Sequence, residues 1–210
     1  MSDKLDSEVI GLLQHIIYRI TDKGFYLYQA IFESNNGKYY LRLMNWNTTC
    51  FLLINIPESY MDHVDNGVWI LTFKWVEHDH YVLKDVCNYN DYKLPINLRR
   101  DWDVEFFEGD FTEYSLKKCL DKIDFALRLG EEYDTLPEIV VKSSYSSSLI
   151  NARLLNQSII SGLNTNLEFR LVCADSVVFL RYTHEGEFKV YGVIAPILHQ
   201  IKDGELTISF

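Results

Sequence analysis

Residues 65–86 read DNGVWILTFKWVEHDHYVLKDV, and the fold class follows from how this stretch is read. Asp65-Asn66-Gly67 is a turn sequence. Val68 to Val76 is dense in β-branched and aromatic residues, and Tyr81 to Val86 repeats that character. Between the two runs lies the polar link Glu77-His78-Asp79-His80. Two apolar runs around a tight polar link predict a β-hairpin. The first run is long and nearly continuous, as in a strand buried on both faces. The hairpin is therefore expected at the centre of an antiparallel sheet, with Trp69, Ile70, Phe73 and Trp75 prominent in the core.

Working outward, Phe25 to Glu33 and Lys38 to Asn45 are aromatic-rich runs joined by Ser34-Asn35-Asn36-Gly37. Asn-Gly is a strong hairpin signal, because both residues tolerate positive φ. Cys50 to Ile54 adds a short strand, so a meander of about five strands is predicted between residues 25 and 86. Ahead of it, Val9, Leu12, Leu13, Ile16, Ile17 and Ile20 recur at helical spacing, and Gly24 stops the helix.

Asp101-Trp102-Asp103-Val104-Glu105-Phe106 alternates as a strand, with the three acids on one face. Asp110 with Glu113 resembles a capping box, which starts a second helix running to Leu129 with Gly130 as its stop. Glu131 to Pro137 is a polar break, and Glu138 to Lys142 a short strand. A third helix is expected from Ser148 to Ser161, then strands from Leu167 to Phe210. The whole predicts an α+β fold: antiparallel sheets, as an N-terminal β-meander or small barrel and a C-terminal β-meander, with about three packed helices. The polar break divides an N-terminal lobe of residues 1–130 from a C-terminal lobe of residues 131–210, packed together as one compact unit.

Composition narrows function. A charged fraction of 24% with 14% aromatics belongs to a folded chain rather than a disordered one. No apolar run is long enough for a transmembrane helix. The start, MSDKLDSEV, lacks the basic and apolar parts of a signal peptide, so a cytoplasmic or nuclear protein is expected. Cys50, Cys87, Cys119 and Cys173 are scattered and form no CxxC pair, which predicts free thiols rather than a zinc site. The net charge of −10 argues against nonspecific binding to phosphates and fits a partner protein with a basic surface.

There is no GxxxxGK, GxGxxG, HExxH or GxSxG motif. No cofactor is expected. His78-Asp79-His80, with His63, has metal-ligand residue types, but falls on a turn where the ligand geometry fails. The aromatic residues Tyr39, Tyr40, Trp46, Trp69, Phe73, Trp75 and Tyr81 suit a β core better than base stacking. The strand acids Asp101, Asp103 and Glu105, with Glu108 after them, are the candidate partner-binding residues. Acids on one strand face steer a basic partner. The expected function is thus a non-enzymatic protein–protein interaction module, such as an inhibitor, immunity-type protein or assembly subunit. The alternatives are a nucleic-acid-associated OB-like module, with Lys38, Arg42 and Lys74 beside the aromatics, and a metal-dependent enzyme using the acidic strand.

Overall fold

The structure, a computed structural model, describes residues 7–21, 27–45, 48–61, 64–76, 80–91, 107–160 and 165–197. In chain order these form α1 (Ser7–Ile20), β1 (Leu27–Asn35), β2 (Lys38–Met44), β3 (Cys50–Ile56), β4 (Gly67–Val76) and β5 (His80–Asn88). They continue with β6 (Thr112–Tyr114), α2 (Leu116–Glu132), β7 (Glu138–Lys142), β8 (Ser147–Asn151), α3 (Ala152–Ser158), β9 (Leu167–Leu171), β10 (Val178–His184) and β11 (Phe188–Ile194). The fold is α+β, as the element order predicts.

Nine strands make one antiparallel sheet in the order β5-β4-β1-β2-β3-β11-β10-β9-β6, and β7 pairs with β8 as a separate hairpin. The β1–β2 turn is the expected Asn36-Gly37 pair, both at positive φ (50° and 75°). After β3 the chain crosses back to set β4 beside β1. The β4–β5 hairpin forms as predicted but lies at the end of the sheet, not at its centre. The central strand is β3, which pairs with β2 on one side and β11 on the other. Because β3 pairs with β11 rather than with β5, the first five strands do not close into an OB-like barrel. β6 pairs with β9, and α2 packs on α3 and β7.

Strand alternation sorts the side chains onto two faces. One face carries Tyr28, Ala30, Phe32, Leu41, Leu52, Ile54, Leu71, Phe73, Leu180 and Val190 into the main core. The helices supply the other side of that core, with Val9, Leu13, Ile16 and Ile17 from α1 and Cys119 and Ile123 from α2. Phe73 and Ile70 are fully buried, whereas Trp69 and Trp75 are partly so. Trp75 stacks on Tyr18 of α1 with centroids 5.9 Å apart, and Tyr81 donates to the Thr21 hydroxyl at 3.1 Å. The first helix thus lies across the hairpin and gives its run of apolar residues something to cover.

Two other expectations are corrected. Asp110 and Glu113 do not cap a helix: residues 112–114 pair with β9, and α2 begins only after Ser115. The helix then runs through Gly130, which is buried against Pro137, to Glu132. Residues 147–151 are strand rather than helix, because Leu149 and Ile150 pair with Val140 and Ile139. Asn151 then caps the short α3 through its side chain, accepting from the Arg153 amide.

Candidate protein-interaction face

The helices cover one face of the sheet. The opposite face carries a second apolar cluster, formed by Phe51 and Leu53 of β3, Phe179 of β10, Val193 of β11 and Phe107. Tyr40, Phe111, Val177 and Tyr191 pack around it. A solvated sheet face is expected to be polar, so an aromatic cluster there points to something that covers it. Part of that cover is the segment 107–111. The Phe107 ring is almost fully buried, 4.9 Å from the Tyr191 ring and 5.7 Å edge-on from Phe179.

Two arginines pin the segment down. Arg181 sits over the Phe111 ring at 4.0 Å and donates to the Phe107 carbonyl at 3.5 Å. Glu168, one strand over, holds the Arg181 guanidinium in a two-point ion pair. Both partners are about one-third exposed, so the pair orients more than it stabilises. Arg170 lies over Phe179 at 4.6 Å and Phe111 at 5.4 Å, and it donates to the Glu108 carbonyl. Gly109 has φ +116°, a backbone conformation that strains any other side chain, and a Cβ there would also displace the Arg170 guanidinium, 2.7 Å away.

Beside the segment a cleft of about 500 Å³ remains open. One wall is Phe107, Glu108 and Gly109, and the floor is the outer side of β9, β10 and β11, with Glu168, Arg181, Thr183, Lys189 and Tyr191. Burial raises the Tyr191 pKa, with the nearby Tyr40 adding to it and Arg181 opposing, so Tyr191 stays a neutral phenol that offers both a ring and a hydroxyl. The cleft is large enough for a few side chains of an extended segment. It contains no nucleophile–base pair in hydrogen-bond reach among the described residues.

Of the sequence candidates, Glu108 lies in this wall, exposed. Asp101, Asp103 and Glu105 lie outside the described residues, as do Trp46, His63, His78 and Asp79. Glu113 accepts from the Asn166 side chain. Among the described residues, no three His, Cys, Asp or Glu side chains converge on a metal position. The aromatics and basic residues considered for nucleic acid are, among the described residues, divided between the two sheet faces. Tyr39, Phe73 and Tyr81 are in the helix-side core, and Arg42 is buried at 2% exposure against Glu33, 3.1 Å away. Phe107, Phe111, Arg170, Phe179, Arg181 and Tyr191 were not legible as a site. The usable signal was the outward phase of β10 and β11, where Phe179 and Tyr191 stand on the side that should be polar.

No family model and no curated protein matches the sequence. Solved structures do match. One is the C-terminal region of FEN-1 bound to A. fulgidus PCNA, with TM-score 0.55 and 10% identity over 91% of this chain and 98% of that one. The fold is PCNA-like. PCNA from Thermococcus kodakaraensis agrees, with TM-score 0.52 and 13% identity over 92% of this chain and 98% of that one. No helix among the described residues is long and apolar enough to cross a membrane.

Proposed function

We propose that this chain is a non-enzymatic interaction subunit that takes an extended segment of a partner protein on the outer sheet face. The cleft beside residues 107–109 is where that segment lies. The observation that carries this reading is the cleft on the face away from the helices, which borders the buried aromatic cluster and has Tyr191 on its floor beside the segment that carries Phe107. Tyr191, backed by the buried Phe107 ring, forms its apolar seat, and Glu168 with Arg181 fixes its floor. The likeness to a PCNA solved with the C-terminal region of another protein bound supports the same use of this fold. Glu108 and the acids that precede it in sequence, Asp101, Asp103 and Glu105, give the partner's basic residues a counter-charge. Such a protein works in the cytoplasm or nucleus.

The test is selection of random displayed peptides on the purified full chain, repeated with Tyr191→Asp. Peptides that bind the wild-type protein and lose at least tenfold in affinity for Tyr191→Asp support the cleft. Binders indifferent to that substitution, or a selection that yields none, refute it.

A further inference from the structure

The cleft's charges do not all cancel. Arg181 is neutralised by Glu168, and Arg170 is committed to the Glu108 carbonyl and to two aromatic rings. Two charged side chains are left over. Lys189 on the floor and Glu108 in the wall are both exposed and make no ion pair among the described residues. Their placement is set by the backbone. Glu108 follows Phe107, whose ring lies against Tyr191 at 4.9 Å. Lys189 shares the face of Tyr191 two residues along β11, a displacement of roughly 7 Å. Arg170, lying over Phe179, holds the Glu108 carbonyl, and along the strands Phe179 pairs with Val193 and Lys189 with Thr183, with the Arg181–Tyr191 pair between them, so a segment crossing the cleft meets an ammonium at one side of the Tyr191 seat and a carboxylate at the other. Lys189 also stands out against a chain of net charge −10, since it is the cation of the cleft lining that has no carboxylate partner among the described residues.

Resting on the cleft reading above, we propose that the partner segment is charge-patterned: an acidic residue set against Lys189 and a basic residue set against Glu108, on either side of an apolar side chain seated on Tyr191. The apolar residue gives affinity, and the two charges fix the direction in which the segment lies. A reversed segment would set like charges against each other, which opposes binding.

The peptide selection is repeated on the full chain with Lys189→Glu and with Glu108→Lys. Both positions are exposed, and unchanged melting shows that each variant is folded. The wild-type protein is expected to select peptides with one acidic and one basic residue flanking an apolar one. Each variant should weaken the wild-type peptide roughly fivefold, the scale of an exposed ion pair replaced by a like-charge contact. Reversing only the matching residue of the peptide should restore binding. If peptides lost in Tyr191→Asp change less than twofold in both charge variants, the charge pattern is overturned while the cleft reading stands. If no peptide depends on Tyr191, both fall together.

Discussion

Phe107→Ala is the sharpest structural test of the outer face. The ring is 2% exposed, tilted against Tyr191 and edge-on to Phe179. Truncating a buried Phe costs roughly 3–5 kcal/mol. One side of this site is a segment free to collapse inward, so the lower end applies, about 3 kcal/mol. If segment and sheet unfold together, the melting temperature should fall by roughly 6–12 °C for a chain of this size. If the segment detaches alone, the loss is capped by its own docking energy. Melting then moves little, and amide exchange across residues 107–111 accelerates instead. Calorimetry and hydrogen exchange on the same sample separate the two. Unchanged melting together with unchanged exchange would mean that Phe107 is not seated, and the account of this face would fail.

In the main core, Phe73→Ala should cost about 3–5 kcal/mol, measured by denaturant unfolding, because Phe73 is fully buried under the helix layer. Arg42→Ala should destabilise by about 3–5 kcal/mol by stranding Glu33, whereas the Arg42→Met, Glu33→Leu pair should recover most of that loss. His184 is 5% exposed, its Nδ1 has no hydrogen-bond partner, and burial lowers its pKa against the weaker opposing pull of Glu185. The unfolded chain therefore takes the proton first, and stability should be full above about pH 6.5 and fall as the pH drops below it. His15 on α1, itself held down by burial, Arg19 and the nearby His184, is coupled to that site, so His184→Gln should flatten the decline in a pH series of melting curves. With iodoacetamide, exposed Cys173 should react first, while Cys50 and Cys119, buried and pushed up to about 12 and about 11, should react only on unfolding.

Local signals carried most of the elements. The stripe Val9, Leu13, Ile16 and Ile17 marked α1, and Asn36-Gly37 marked the first hairpin. What failed was inference from local signal to long-range place. The run in β4 looked central because it is almost unbroken. It is apolar because α1 lies over it, whereas Cys50–Ile56 is the middle strand and is too short to announce itself. Leu149, Ile150, Leu154 and Leu155 fit a helical stripe, yet the first two belong to a strand whose partner was read correctly on its own. Glu113 looked like part of a helix cap because the β6–β9 pairing spans more than fifty positions and leaves no local trace. The cleft was invisible for the same reason. Its wall and floor come from residues 107–109 and 168–191, and only their alternation hints at a common face.

The pairing of β3 with β11 has a consequence for synthesis. Asn55 to Cys50 meet Lys189 to Ile194, so the middle of the sheet is the last seam to close. At about 5–20 residues per second, β11 follows β3 out of the ribosome after roughly 7–26 s. Throughout that interval β3, CFLLINI, presents an unpaired apolar edge. Slower elongation lengthens that exposure, and any chain ending before Phe188 never ends it. Such a truncated product should collect in inclusion bodies or on holdase chaperones, while the full chain escapes them once β11 arrives.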